Sequence, residues 1–304
     1  MYVVTLKKCN ISAHTQIYLH FLTSPFKGGI IYLAEYPQGG NMNREILLRE
    51  NEITDNLKST SLSVRVYDTV TSTSDLVRQA AEEGAPEGLV IIAKNQSAGR
   101  GRIGKSFFSP TGGLYMSILL RPKITATELL TVTPLAAVSV SEAIEAVTGK
   151  RTEIKWVNDL FYCGKKVCGI LTESPYDAST GGVKYTSVGI GINVVSPDNG
   201  YGELDSIAGA LYTSGKEPGG IINRLAAEVA DNFYAKYKAF DRDSIYDEYK
   251  NRLFLLGREV YTVKDGERER VSVLDLTPDF GLVVRDSKGE VRILSSGEIS
   301  IIPM

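Results

Sequence analysis

The chain has 304 residues, of which 43% are hydrophobic and 23% are charged, the usual balance for a soluble globular protein. Its formal net charge of −2 argues against nucleic-acid binding through overall positive charge, although a local basic patch stays compatible with it. No apolar run approaches the roughly 18 residues needed to span a membrane, and the N-terminus lacks a secretory signal. We therefore expect a cytoplasmic protein of one large domain and one or two small ones.

Histidine and cysteine are scarce. His14 and His20 are the only histidines. If they lie outside the catalytic domain, mechanisms with a histidine base or a His-ligated zinc are disfavoured. Cys9, Cys163 and Cys168 provide neither a disulfide framework nor a zinc-binding spacing. We interpret Cys163 and Cys168 as ordinary strand residues.

Residues 1–60 show no sustained hydrophobic period and predict an N-terminal extension of uncertain structure. A short polar helix fits residues 43–58. No pair of helices with a Gly-containing turn is recognisable, so a DNA-reading helix-turn-helix is not expected. One hypothesis is that translation begins naturally at Met42.

Residues 61–253 predict the catalytic domain, in which strands and helices mix. Strands are predicted at residues 63–67, 89–93, 114–120, 153–156, 160–162, 165–173 and 184–194. Helices are predicted from Ser72 or Thr73 to Gly84, from a Thr133 cap followed by Pro134 to Gly149, and over residues 221–240 and 244–252.

The Cys163-Gly164 pair predicts a hairpin turn. Residues 254–304 contain short strands that alternate with turn signals, which predicts a small separate β-barrel. The predicted fold class is therefore α+β, with a mixed sheet and flanking helices, followed by a C-terminal SH3-like β domain.

Residues 99–106 (GRGRIGKS) formally match the P-loop pattern, which requires a strand before the loop and a helix after it. A helix is not expected here, because Pro110, Gly112 and Gly113 follow. A solvated basic surface loop is one alternative. We favour a phosphate-binding loop of another kind, since glycine permits close backbone approach and arginine matches phosphate oxygens.

Six segments, in order and with suitable spacing, resemble motifs of the biotin–protein ligases. They are residues 96–104 (QSAGRGRIG), 108–117 (with FSP and GLYMS), 155–159 (KWVND), 166–173 (KVCGILTE), 189–193 (GIGIN) and 296–298 (SGE). The resemblance covers residues 62–304 and leaves the first sixty residues unmatched.

The resemblance implies a biotin/lipoate ligase-like catalytic domain of the monofunctional type, without a DNA-binding domain. Such an enzyme activates biotin with ATP and Mg²⁺ to biotinoyl-5′-AMP. It then transfers biotin to a lysine of a biotin carboxyl carrier protein, an acetyl-CoA carboxylase subunit or a related carboxylase. No nucleic acid or membrane partner is expected, and the sequence leaves a homodimer open.

The resemblance also implies a role for individual residues. The catalytic residues are Lys166, Arg100 and Asp159. The biotin-binding residues are Ser72, Thr73, Gln96, Gly99, Arg100, Lys166 and Gly169. The nucleotide-binding residues are Arg100, Arg102, Phe107, Lys155, Asn158 and Asn193. Metal ligands stay unknown.

The chemistry explains why cations are needed. A carboxylate that attacks a phosphate brings like charges together, at about 4 kcal/mol for unit charges ~4 Å apart at an effective dielectric of ~20. No protein nucleophile is required, which agrees with the shortage of histidine. Asp159 is the candidate for orienting the acceptor amine or taking its proton. The alternative for Asp159 is a loop aspartate that caps backbone groups. The alternative for Lys166 is a solvated hairpin lysine, and the alternative for Ser72 and Thr73 is a plain helix cap.

Three positions depart from the family pattern. Val157 replaces the usual proline, Phe107 a tryptophan, and Lys105 a frequent arginine. Lysine keeps the charge of an arginine but loses its bidentate geometry. Phe107 keeps an aromatic face that can stack against or shield the adenylate.

Three alternatives remain. Lipoate or octanoate–protein ligases share fold and reaction type but lack this glycine-arginine run followed by K-W-x-N-D. A bifunctional ligase-repressor would need a winged helix-turn-helix, which residues 1–60 do not predict. A catalytically silent biotin sensor is disfavoured because the expected cations are present.

Overall fold

The computed structural model describes residues 7–12, 15–19, 48–122, 126–177, 182–264, 266–295 and 300–303. The chain divides into two compact units, residues 1–45 and 46–304. In the first unit, β1 (Lys7–Ser12) and β2 (Thr15–Leu19) pair antiparallel as a hairpin. Met42 and the SGE segment at 296–298 lie outside the described residues, so the predictions made for them stay predictions.

The second unit begins with a mixed α and β region. Its elements are α1 (Glu50–Asn56), β3 (Ser63–Val70), α2 (Thr73–Glu82), β4 (Leu89–Gln96), β5 (Gly113–Leu120), α3 (Ala126–Leu129), α4 (Val132–Thr148), β6 (Glu153–Lys155), β7 (Asp159–Tyr162), β8 (Lys165–Glu173), β9 (Tyr176–Asp177), β10 (Gly182–Val183), β11 (Thr186–Asn193), α5 (Ile221–Ala239) and α6 (Arg242–Arg252).

Seven of these strands form one sheet in the order β3-β4-β5-β11-β8-β7-β6. The β3–β4 pair is parallel and the other neighbours are antiparallel, so the sheet is mixed, as predicted. In β4, Val90 and Ile92 belong to the large core with α4 and α5, whereas Leu89 and Ile91 pack in a second cluster with Val77 of α2. Alternate residues of a strand face opposite sides. Helices therefore cover both faces of the sheet.

The C-terminal strands form a separate five-stranded antiparallel sheet, in agreement with the predicted SH3-like β domain. Its order is β15-β14-β13-β12-β16, with β12 (Glu259–Lys264), β13 (Glu267–Leu276), β14 (Leu282–Asp286), β15 (Val291–Leu294) and β16 (Ser300–Pro303). This sheet packs on the main core, and the buried Trp156 Nε1 donates a hydrogen bond to Phe280 O at 2.8 Å. The domain boundary at 253/254 stays a prediction.

Two predicted details of the elements are wrong. Helix α4 begins at Val132, not after a Thr133 cap, and Thr133 Oγ1 instead donates to Thr172 Oγ1 at 2.9 Å. Pro134 falls in the first turn, where its missing N–H would have no helical partner anyway. Cys163 lies in the hairpin turn with a φ of 49° rather than in a strand.

No helix in the described part of the chain is long and apolar enough to cross a membrane.

Candidate active site

A cavity of about 690 Å³ opens beside the seven-stranded sheet. Its walls include every residue that the sequence predicted for the site except Gly99. They are Ser72, Thr73, Gln96, Arg100, Arg102, Phe107, Lys155, Asn158, Asp159, Lys166, Gly169 and Asn193. Segments that are far apart in the chain therefore converge on one volume large enough for a small-molecule ligand.

Strand register brings these segments together. Across the sheet, Lys155 pairs with Asp159, Asp159 with Gly169, Gly169 with Gly191, and Gly191 with Tyr115. Directly opposed residues of neighbouring strands share a face. Residues of four motifs consequently form one row across five strands, and the part of this row from Lys155 to Gly191 is the floor of the cavity.

A β-bulge turns Lys166 into the same cavity. In a regular strand, Lys166 and Gly169 would face opposite sides, because side chains alternate. Here Asp159 pairs with Gly169 and Phe161 pairs with Lys166, which leaves Val167 as the extra residue. A bulge of this kind redirects a side chain. Lys166 is thereby placed on the face of Gly169.

Glycines of β8 and β11 make room in the cavity. A Cβ atom on Gly191 would lie 2.6 Å from the Phe107 ring, and one on Gly169 would lie 2.9 Å from it. A Cβ on Gly189 would lie 2.8 Å from Ser74 Oγ. The GIGIN segment therefore supplies side-chain-free positions at alternate residues, on the face where other groups must come close.

One part of the cavity is lined by uncharged polar groups: Ser72, Thr73, Ser74 and Gln96. The buried Ser117 lies behind them, and we call these five residues the polar cluster. Thr73 Oγ1 lies 2.8 Å from Ser117 Oγ, and Ser74 Oγ lies 3.1 Å from it. Gln96 Oε1 accepts from Thr73 N at 2.8 Å. Ser72 occupies the N-cap of α2, yet its hydroxyl makes no capping hydrogen bond. The structure therefore does not support the helix-cap alternative for the Ser72 side chain.

The glycine-arginine loop, residues 99–107, is a hairpin. Gly101 N donates to Lys105 O at 2.7 Å, and Lys105 N donates to Arg102 O at 3.2 Å. The two turn residues, Ile103 and Gly104, have φ angles of 55° and 66°, as in a type I′ turn. No helix follows the loop before Gly113. The structural requirement of a P-loop is not met, as predicted.

The base of this loop is held by close contacts. Gln96 Nε2 donates to Ser109 Oγ at 2.9 Å, and Phe107 N donates to Gly99 O at 2.8 Å. A Cβ on Gly99 would lie 2.4 Å from Phe107 O and 2.5 Å from Ser109 Oγ. Gly99 therefore acts by allowing this approach, and it is the one predicted site residue that does not line the cavity.

Positive charge gathers beside the cavity floor in what we call the cationic cluster: Arg102, Lys105, Lys155 and Lys166. Lys166 Nζ lies 2.6 Å from Asp159 Oδ1, and Lys155 Nζ lies 3.9 Å from Asp159 Oδ2. Burial lowers the pKa of Lys155; the Asp159 carboxylate opposes this shift, whereas the neighbouring cations add to it. Asp159 thus bridges two ammonium groups. These contacts do not support the alternative in which Asp159 only caps a loop.

Arg102 belongs to the same cluster but has a different environment. Its Nη1 donates to Asn158 Oδ1 at 3.1 Å, and Asn158 Nδ2 in turn donates to Ile170 O at 2.7 Å. The pKa of Arg102 is lowered, because the effect of burial exceeds the opposing effect of the nearby Asp159 carboxylate. Asn158 therefore helps to orient the Arg102 guanidinium in the cavity wall.

Arg100 is held by two carboxylates that the sequence did not connect with it. Its Nη2 lies 2.7 Å from Glu173 Oε2 and 3.2 Å from Asp75 Oδ1. Asp75 Oδ1 also lies 2.8 Å from Arg78 Nη2. Arg100 Nε is buried and has no hydrogen-bond partner among the described residues.

Sequence reasoning missed the segment that forms another wall, because its residues match no motif and have no regular period. Its members are Tyr201, Leu204, Ser206, Ile207 and Ala208. The backbone of Lys166 accepts from Gly209 N at 2.9 Å and donates to Ile207 O at 2.8 Å. Asn193 Nδ2 donates to Gly209 O at 2.9 Å. Within the segment, burial raises the pKa of the Tyr201 hydroxyl to about 12. Only the tertiary fold attaches this segment to the site.

The described residues contain no group of three or more His, Cys, Asp or Glu side chains that could hold a metal ion. Within the cationic cluster the carboxylate is that of Asp159, which already contacts two lysines. This donor set does not fit a metal site built by the protein alone.

Comparison with known proteins agrees with this geometry. The model of the biotin/lipoate A/B protein ligase family matches residues 66–193. The bifunctional ligase/repressor BirA of Bacillus spizizenii is 39% identical over 174 residues, which are 56% of this chain and 53% of the relative. The chain thus spans about half the length of that relative. The biotin–[acetyl-CoA-carboxylase] ligase of Mycobacterium tuberculosis is 25% identical over 264 residues, or 83% of this chain and 95% of the relative.

A solved structure extends the similarity to most of the chain. The biotin protein ligase from Aquifex aeolicus in complex with biotin and ATP superposes with a TM-score of 0.66 at 27% identity. The match covers 80% of this chain and 99% of that one. With this fold and this cavity, residues 66–193 match the biotin/lipoate A/B protein ligase family, and the chain is similar to biotin–protein ligases over most of its length.

Proposed function

We propose that the protein activates biotin with ATP to biotinoyl-5′-AMP and transfers biotin to a lysine of a biotin carboxyl carrier protein. One observation carries the proposal: a single cavity joins an uncharged polar cluster to a cationic cluster. An acid with a polar, uncharged head fits the first cluster, while its carboxylate and the nucleotide phosphates fit the second.

In the first half-reaction, a biotin carboxylate oxygen attacks the α-phosphorus of ATP, and the bond to pyrophosphate breaks. Both reactants are anions, so cations must offset their repulsion. Lys166 and Arg102 are suited to this because both reach the cavity. Lys155 adds a buried charge whose ionic partner, Asp159, is 3.9 Å away. Catalysis of this kind rests on positioning and on preorganised charge.

In the second half-reaction, the acceptor lysine amine attacks the acyl carbon, AMP leaves, and the amine loses a proton. An ordinary lysine is mostly protonated at neutral pH. Asp159 is our candidate for orienting this amine, because its carboxylate already binds ammonium groups in the cavity. An incoming amine would compete with Lys166 for the same oxygens.

Mg²⁺ is expected as a companion of ATP. Mg²⁺ is usually held by one or two carboxylates together with substrate phosphates. Because the donors here do not build a protein site for it, we propose that Mg²⁺ arrives bound to the triphosphate. Its role would be to neutralise phosphate charge.

Lipoate or octanoate ligation is the alternative substrate assignment. A dithiolane or alkyl chain offers almost nothing for the hydroxyls of Ser72 and Thr73 or the amide of Gln96 to bond. Burying polar groups beside an apolar ligand is unfavourable. The polar cluster therefore favours the cyclic urea of biotin.

The cellular setting and partners are also proposals. We propose a cytoplasmic ligase without DNA-binding activity, since residues 1–60 lack the pattern of a helix-turn-helix. A BirA relative is bifunctional by name, so a DNA-binding assay at stated salt concentrations is the direct test.

The decisive experiment measures transfer of labelled biotin to a carboxyl-carrier domain in the presence of ATP and Mg²⁺. We expect labelling that requires ATP and that Lys166→Ala abolishes. Lys184→Ala, which changes an exposed lysine, is the matched control and should label normally. Labelling with lipoate or octanoate but not biotin would overturn the substrate assignment, and no labelling with any of them would overturn the ligase proposal.

A further inference from the structure

The KVCGILTE segment ends in Glu173, a residue for which the proposed chemistry has no direct use. Its carboxylate Oε2 lies 2.7 Å from Arg100 Nη2 and accepts a hydrogen bond from it. Asp75 Oδ1 lies 3.2 Å from the same nitrogen. The Glu173 and Asp75 side chains are both about one-third exposed, at 35% and 30%.

These contacts join three elements of the site. Asp75 lies in the first turn of α2, just after Ser72 and Thr73 of the polar cluster. Glu173 is the last residue of β8, the strand that carries Lys166. Arg100 belongs to the glycine-arginine loop. The Arg100 guanidinium is therefore the point at which the loop is attached to both the helix and the strand.

The charge of Arg100 is compensated locally. Two carboxylates, those of Glu173 and Asp75, lie within 2.7 and 3.2 Å of its Nη2 and offset this charge. A guanidinium held in this way is a poor competitor for phosphate, because the anion would have to displace a carboxylate. Its geometry suits it to anchor the loop.

We propose that Glu173, assisted by Asp75, is a positioning residue that acts through Arg100. It attaches the glycine-arginine loop to the strand that carries Lys166, and it keeps the charge of Arg100 away from the phosphates. This inference rests on the proposed function. Glu173 is the stronger anchor, since its contact is shorter and since Asp75 is shared with Arg78.

The test is a double-mutant cycle on biotin-dependent exchange of pyrophosphate into ATP, with kcat and the KM for biotin measured separately. We expect Glu173→Gln to lower kcat/KM about tenfold, and Glu173→Asp to restore most of the loss. In an Arg100→Gln background, Glu173→Gln should cost nothing further, because the group through which it acts is gone. A merely structural role would leave the two losses additive.

Asp68→Asn is the matched control. It removes a carboxylate from another ion pair, with Lys94 Nζ at 2.6 Å, on the edge strand β3, and it should leave exchange unchanged. If Glu173→Gln unfolds the protein, as thermal melting would reveal, Asp75→Asn replaces it in the same cycle with the same expectation. Additive losses, or wild-type exchange in Glu173→Gln, would overturn the inference. Wild-type protein without exchange would instead overturn the proposed function.

Discussion

Replacing Gly99 with alanine adds one methyl group at the base of the glycine-arginine loop. The new carbon would lie 2.4 Å from Phe107 O and 2.5 Å from Ser109 Oγ. Both distances fall well inside the ~3.5 Å at which non-bonded atoms attract each other. The loop base must therefore open by roughly 1 Å, because one of the crowded atoms belongs to the backbone and has no rotamer to escape into.

The cost follows from this displacement. Overpacking of this kind typically costs about 1–3 kcal/mol, which corresponds to roughly 5- to 150-fold in an equilibrium or rate. A shift of about 1 Å in a positioning group can cost roughly 100-fold in catalysis. We expect Gly99→Ala to lower kcat/KM for biotin-dependent pyrophosphate exchange by about 10- to 100-fold. The melting temperature should fall by at most roughly a few degrees, because opening of the loop relieves the strain outside the hydrophobic core.

Gly104→Asn is the control on the same loop. A Cβ on Gly104 meets no atom within 4 Å, and asparagine tolerates its φ of 66° better than most residues. This variant should keep wild-type exchange. Wild-type exchange in Gly99→Ala would refute the assignment of Gly99 to loop packing, and so would an equal loss in both variants.

Three further expectations follow from the site. Lys155→Met should raise the free energy of unfolding at pH 7, because burial lowers the pKa of Lys155 and the folded state holds its charge at a cost. Between the folded-state pKa of Lys155 and its ordinary pKa of 10.5, the unfolded state binds more protons than the folded state. The stability of the wild type therefore rises with pH over this range. Denaturant titrations should show the stability gain of Lys155→Met shrinking up to pH 10.5. Trp156→Phe should lower the free energy of unfolding by about 1–3 kcal/mol, since Phe280 O loses its buried hydrogen-bond donor. An unchanged denaturant unfolding transition would contradict this. Asp159→Asn should slow transfer to the carrier more than adenylation, and single-turnover rates for the two steps that fall equally would sink that role.

Much of this protein could be predicted without coordinates, because its motifs are local. Buried strands such as β5 appear as continuous apolar runs, and α2 shows its spacing of buried residues at Val77, Ala80 and Ala81. The glycines and arginines of residues 99–106 indicated a phosphate-binding loop without a following helix. These predictions depend only on interactions within a few residues of each other.

Strand register and long-range contacts could not be predicted in this way. The bulge at Val167 reverses the face on which Lys166 emerges, and nothing in the local alternation predicts it. The attachment of Arg100 to Glu173 joins residues 73 positions apart. The wall around Ile207 matches no motif and is held by backbone hydrogen bonds to Lys166.

Local sequence therefore indicates most of the chemical groups in the site and the class of reaction that we propose for them. Their partners follow only from the fold: Asp159 lies between two lysines, and Glu173 and Asp75 hold Arg100. The physical reason is that side-chain type is a property of each residue. Charge compensation and close approach depend instead on partners that only the folded sheet brings within a few ångströms.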